Sequence, residues 1–319
     1  MSVKGKKYTD DGWAIWIDGD DTSTIYFHDW MSPKGKSYID VSIKIVGVKG
    51  TSKFCLYVPF AVSEGEIEDI SLEFKNEEIA RATFSSGCII DFMKNEYTSE
   101  IAYNGKTVDI VHLSKIEPTL KDLSGGTLIT VDYGYIQPFI DNEEAHFSFR
   151  LPHKSLDKVF DTYKSAGSLL VRLRDLITTP IQSEKYGYSI RVNETRNLPP
   201  EINKIGAFHR QKLKKTAVTV SISEDYEIND ANCVQIRRLE EDLYRDFVPE
   251  GFVCDGVITY QWEEVRKAEK LRGKFNFYLN IKREAVSARS MAIYVILLVV
   301  MGGVSSFFAD FVRWVWSLF

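Results

Sequence analysis

Met291 to Ala309 reads MAIYVILLVVMGGVSSFFA, nineteen residues without a charge. A bilayer core about 30 Å thick needs about 20 such residues as a helix. An isolated span must also satisfy its own backbone hydrogen bonds, which only a helix does. A helix lying in the interface would need a strong polar face, and 291–309 has none. The stretch predicts one transmembrane helix with a short tail, residues 291–319. The competing reading is the buried helix of a soluble protein, which is usually shorter.

The flanks set an orientation. Lys282, Arg283 and Arg289 precede the span, whereas Asp310 and Arg313 follow it with no net charge. The positive-inside rule then predicts a cytoplasmic N-terminal domain and a single-pass protein of the inner (plasma) membrane. Trp314 and Trp316 fall where an interfacial aromatic belt belongs. Gly302, Gly303, Ser305 and Ser306 would let two such helices approach closely and self-associate. Asp310 and Arg313, three apart, can pair on one helix face, either as a functional ionisable site or as an ordinary interfacial ion pair.

Upstream, the pattern is one of strands. Tyr38 to Val46, YIDVSIKIV, alternates with period two. Asn104-Gly105 sits between alternating runs at 99–103 and 106–111, the strongest hairpin signal in the chain, because a type I′ turn needs positive φ at both central residues. Further strands are expected at 13–17 and 23–27 (paired as a hairpin), 53–60 (with Pro59 at an edge or end), 88–92, 127–133, 146–151, 256–262 and 274–281. Helices are expected at 76–82, from Ser155 onward, at 169–177, and at 230–247 on the stripe Cys233, Ile236, Leu239, Leu243 and Phe247. Residues 178–202 read as a long loop, with Pro199-Pro200 as a linker candidate.

The fold class is therefore α+β: a β-rich soluble region with a few helices and one C-terminal transmembrane helix. Residues 1–283 form the cytosolic region, 284–290 a basic juxtamembrane segment and 291–319 the span and tail. A subdivision near residue 152 is the alternative to one continuous domain.

Composition narrows the function. The chain has 319 residues, with 40 Lys and Arg against 45 Asp and Glu, a net charge of −5. A general nucleic-acid binder is usually basic overall, so any contact of that kind is confined to a patch. Aromatic residues at 13% provide for a core and argue against disorder. Cys55, Cys88, Cys233 and Cys254 lack C-x-x-C spacing, so no zinc site is expected, and single cysteines fit a reducing compartment. Met1 to Tyr8 has no apolar core, which predicts no secretory signal peptide.

No P-loop, G-x-S-x-G elbow or dinucleotide fingerprint is present. Asp18, Asp20 and Asp21 could hold Mg²⁺ or Ca²⁺ but fit a polar turn better. His28-Asp29 and His112 with Asp109 are loose acid–histidine neighbours. No catalytic residue, metal site or cofactor is assigned. One asymmetry stands out: Lys204, His209, Arg210, Lys212, Lys214 and Lys215 lie in a stretch with no acid between Glu201 and Glu224. It suits a phosphate-bearing ligand, RNA, anionic lipid heads or a partner, or else a plain solvated face. Arg266, Lys267, Lys270, Arg272 and Lys274 form a second basic group, interleaved with Glu263, Glu264 and Glu269.

A β-rich cytosolic domain followed by the span at Ile293–Ala309 resembles, in layout, the membrane-disrupting effectors of bacterial antiviral systems, of the short-Argonaute-associated or cyclic-nucleotide-gated type. The resemblance assigns no site residue. It implies a non-enzymatic protein, triggered by a protein partner or a ligand such as a second messenger binding its cytosolic domain, with a nucleotide or nucleic acid acting through a partner as one form of trigger, that oligomerises in membrane lipid and depolarises or permeabilises the membrane. Two other readings stand beside it: a tail-anchored scaffold that recruits a cytosolic partner, and a membrane-tethered enzyme using Asp18, His112 or His209.

Overall fold

Large apolar residues at alternate positions build strands, and the strands form two sheets. The structure, a computed structural model, describes residues 9–19, 22–33, 35–84, 87–156, 182–209, 211–228, 232–266, 273–285 and 288–317. One sheet has seven strands in the order β14 (Tyr226–Ile228), β17 (Phe275–Ala285), β12 (Gln182–Val192), β1 (Thr9–Ile17), β4 (Lys53–Val58), β10 (Gly126–Asp132) and β9 (Thr119–Leu123). The other has ten. Its path runs β15 (Gln235–Arg238), β16 (Val257–Val265), β13 (Lys212–Ser223), β2 (Thr22–Met31), β3 (Tyr38–Val46), β11 (Glu144–Pro152), β8 (Lys106–Val111), β7 (Thr98–Tyr103) and β6 (Ile89–Asp91), with β5 (Glu68–Asp69) set against β11. Pairing is antiparallel except at β1–β12, β2–β13 and β8–β11.

The sheets share one core. Trp13 of β1 meets Phe27 of β2 edge-on at 5.3 Å, and Phe54 of β4 meets Phe147 of β11 at 5.1 Å. The outer face of the seven-stranded sheet is covered by Leu198, Phe208 and the short α2 (Pro200–Ile205), which pack on Trp16 and Tyr57. The outer face of the ten-stranded sheet is roofed by a 3₁₀ turn at Ile70–Lys75, by α1 (Glu77–Thr83) and by α3 (Glu241–Tyr244). Their Phe74, Ile79 and Tyr244 pack with Trp30, Ile101 and Ile110 of the sheet.

The expected strands form, and so does the turn at Asn104 and Gly105, whose φ values are 52° and 72°. Asn76 caps α1 by accepting a hydrogen bond from the Glu78 amide at 3.0 Å. Pro59 follows the last residue of β4 and so ends the strand.

Four expectations are corrected. The runs at 13–17 and 23–27 are not a hairpin: β1 and β2 belong to opposite sheets, β1 pairing with β4 and β12 and β2 with β3 and β13. The loop expected over 178–202 contains β12, whose Tyr186, Tyr188, Ile190 and Val192 enter the shared core. Pro199-Pro200 is no linker, since Pro199 caps α2 and Pro200 opens it, where a missing N–H costs nothing. The expected helix at 230–247 is strand β15 followed by α3. Its apolar stripe is divided: Ile236, on β15, projects outward, 60% exposed, whereas Leu239, Leu243 and Phe247 pack against the ten-stranded sheet. Residue 152 interrupts neither sheet, because β12 and β13 lie directly beside β1 and β2. The helix expected at 169–177, and nearly all of the one from Ser155, lie outside the described residues, as do Asp20 and Asp21.

The last element is α4 (Ala288–Trp316), 29 residues and about 43 Å long at 1.5 Å per residue. Within it Tyr294–Trp314 has a mean hydropathy of 2.2, and none of it is buried. It is long and apolar enough to cross a membrane. The helix continues beyond Ala309, so Asp310, Arg313 and Trp314 lie inside this stretch rather than after it.

Candidate functional site

The central strands of the ten-stranded sheet carry polar residues at alternate positions on their outer face. They are Tyr26 and His28 on β2, Asp40, Ser42 and Lys44 on β3, and His146, Ser148 and Arg150 on β11. Register aligns them, with Lys44 opposite His146, Ser42 opposite Ser148 and Asp40 opposite Arg150. Tyr26 and His28 lie opposite Ser42 and Asp40 on the other side of β3. Such a row normally faces water. Here the turn at Ile70–Lys75, α1 and α3 roof part of it and, with the edge strand β15, leave a cleft of about 370 Å³ lined by Tyr26, His28, Asp40, Lys44, His146 and Lys215 of the sheet and by Phe84, Arg237 and Tyr244 around it.

Hydrogen bonds fix the floor. Ser42 and Ser148 hydroxyls meet at 2.7 Å, and Ser148 Oγ lies 2.7 Å from His146 Nε2. His28 Nε2 lies 2.8 Å from Ser221 Oγ, which is 2.8 Å from Thr259 Oγ1. Asp40 accepts from the Trp30 indole at 2.7 Å. His146 is 3% exposed, and its Nδ1 has no hydrogen-bond partner. A buried polar atom left bare costs roughly 1–3 kcal/mol, so an unpaired nitrogen lining a cleft is worth explaining.

Burial sets the protonation of the floor. It pushes His28 down to about 4 and His146 to about 3, so both are neutral near pH 7. It raises the Tyr26 phenol, against the pull of Lys215 and Lys44. Burial works against the charge of Lys44, but the hydrogen bond to Glu144 overrides it and holds the pKa above its usual value. Lys44 pairs with Glu144 at 2.9 Å and Lys215 with Glu263 at 2.5 Å. Neither glutamate lines the cleft, and Asp40, the one carboxylate that does, is clasped by Arg150. The lining is therefore cationic, aromatic and rich in hydroxyls.

The five described residues of the basic stretch are not brought together. Lys204 is exposed on α2, over the other sheet. His209 and Lys212 line a separate cleft of about 750 Å³ with Gln211, Arg266 and Lys274. Lys214 is exposed, and its carbonyl accepts from the Arg266 amide at 2.9 Å. Arg210 lies outside the described residues, as do Lys267, Lys270 and Arg272. Only Lys215 reaches the roofed cleft, because strand alternation and a bulge between Leu213 and Lys215 send neighbouring lysines to different surfaces.

In α4, nothing lies within 4 Å of a methyl placed on Gly302 or Gly303. Asp310 and Arg313 pair at 3.7 Å, as their spacing predicts, and Trp314 and Trp316 are exposed.

The acid–histidine neighbours separate. Asp29 binds His153 Nδ1 at 2.9 Å and the Tyr188 hydroxyl at 2.7 Å instead of His28. Asp109 holds Asn142, while His112 lies between Ser71 and Ser99. Asp18 serves its turn, accepting from Ser52 Oγ at 3.2 Å. Among the described residues no three His, Cys, Asp or Glu side chains converge on a metal position. The signal for the floor was present as polar residues at period two on three strands. Sequence alone cannot tell a roofed polar face from a wet one.

No protein-family model matches the chain, and no curated protein compared with it matches.

Proposed function

We propose that this chain is a ligand-gated membrane effector of the kind used in bacterial antiviral defence. A small molecule or partner engages the cytosolic sheet domain, the C-terminal spans associate, and the associated spans depolarise the inner membrane. No covalent chemistry is asked of the domain. The observation that carries the reading is α4: an apolar stretch uncovered by the rest of the chain, with an Asp310–Arg313 pair inside it. Ionisable groups within a span are costly, which marks them as functional by default. The roofed cleft supplies the domain with a place for input.

Exchange of residues 291–319 for an unrelated single-span anchor tests this. An effector loses depolarisation, read with a potential-sensitive dye, while the sheet domain stays at the membrane. If the exchanged protein acts as before, the span is only an anchor and the chain is a scaffold for a cytosolic partner.

A further inference from the structure

Register places three functional groups on one level of the roofed floor. Lys215 lies opposite Thr24, Thr24 opposite Lys44, and Lys44 opposite His146. The Tyr26 ring stands next to this row, 5.8 Å from the Lys215 ammonium, and its phenol feels both Lys215 and Lys44. On the far side the Phe84 ring is 5.0 Å from the His146 ring and 5.8 Å from Tyr103. One end of the cleft therefore combines two ammonium groups, two phenols and the Phe84 ring, above the buried His146 imidazole.

Each group asks for something different of an occupant. Ammonium groups and phenol hydroxyls together recognise a phosphate or a comparable anion. Aromatic side chains favour a flat ring. A volume of about 370 Å³ falls in the range for a single small molecule.

We propose that this end of the cleft binds an aromatic phosphate of nucleoside-monophosphate size. Its phosphate lies between Lys44 and Lys215, and its ring lies against the Phe84 ring. The inference builds on the ligand-gated reading above by naming the class of its ligand. The phosphate shares the two lysines with Glu144 and Glu263, and salt screens its attraction to them, so affinity falls as ionic strength rises.

Full-length protein in nanodiscs is titrated with the four 5′-ribonucleoside monophosphates, the four nucleosides and inorganic phosphate, and thermal unfolding is followed. At least one monophosphate should raise the midpoint saturably by about 2 °C or more, with its nucleoside and inorganic phosphate each weaker. Lys215→Gln should weaken that monophosphate roughly tenfold or more, the loss of a charge-assisted hydrogen bond, and Phe84→Ala should weaken it as well. Lys274→Gln, in the other basic cleft, should leave it unchanged. Silence from all four monophosphates, or a Lys215→Gln protein that binds as tightly as the parent, overturns the site. Binding with no effect on membrane potential keeps the site and removes the gated effector. Depolarisation that ignores both the nucleotide and Lys215→Gln keeps an effector and removes this input.

Discussion

Arg150 clasps Asp40 with hydrogen bonds of 2.6 and 3.0 Å and passes a third, of 2.8 Å, to the carbonyl of Phe247. Arg150 belongs to the sheet beside the cleft and Phe247 to its roof, so one buried guanidinium joins the two. Arg150 and Asp40 are 3% and 4% exposed. Removing one partner strands a buried charge, at a cost of roughly 3–5 kcal/mol. Arg150→Met should lower stability by that amount in urea unfolding. Asp40→Asn combined with Arg150→Met should cost less than the two single changes added together.

The neutral histidines make the domain sensitive to mild acid. His28 at about 4 and His146 at about 3 stay unprotonated in the folded chain, whereas an unfolded histidine titrates near 6.5. Between these values the unfolded chain binds more protons, so stability is full above about pH 6.5 and declines as pH falls toward 4. Each histidine contributes a slope of up to about 1.4 kcal/mol per pH unit. Unfolding measured at pH 7, 5.5 and 4.5 should show the decline, and His146→Gln should flatten it.

Asn193 predicts a local stability effect. It holds φ at 57°, accepts from the Ile15 amide at 2.8 Å, and donates to the carbonyls of Ile15 and Gly273 at 3.1 and 2.9 Å. It thus fastens the end of β12 to β1. Asn193→Gly keeps the backbone conformation and loses the hydrogen bonds, whereas Asn193→Ala loses both. Both should destabilise, Ala more than Gly by about 1 kcal/mol, in equilibrium unfolding.

The Asp310–Arg313 pair predicts a charge-exchange result. Arg313→Leu leaves the Asp310 carboxylate alone in an apolar stretch and should impair both insertion and depolarisation. The reversed pair, Asp310→Arg with Arg313→Asp, retains an i, i+3 contact and should restore insertion, measured by resistance to alkaline extraction.

Much of the architecture was legible because it rests on local periodicity. The apolar run at 291–309 and the Asn104-Gly105 turn each need only a few adjacent residues. Pairing was not legible. Nothing local to β1 says that its neighbours are β4 and β12, so proximity in sequence suggested a false hairpin. β12 was hidden because Ser183, Glu184, Gly187 and Ser189 dilute its apolar positions. The cleft failed for a different reason. His146, Ser148 and Arg150 read as the wet side of a half-buried strand, and their burial comes from a roof supplied by residues 70–84 and 235–247. The basic stretch appeared as one patch because charge was counted along the chain, while strand alternation divides Lys212 and Lys215 between two clefts.

The most direct test of the central claim is membrane potential in a bacterial host that expresses either the full chain or a chain truncated after Arg289, each supplied with the monophosphate that binds the cleft. The account predicts rapid depolarisation and loss of viability with the full chain, and an unchanged potential with the truncated one. A full chain that sits in the membrane, binds its ligand and leaves the potential intact would contradict it.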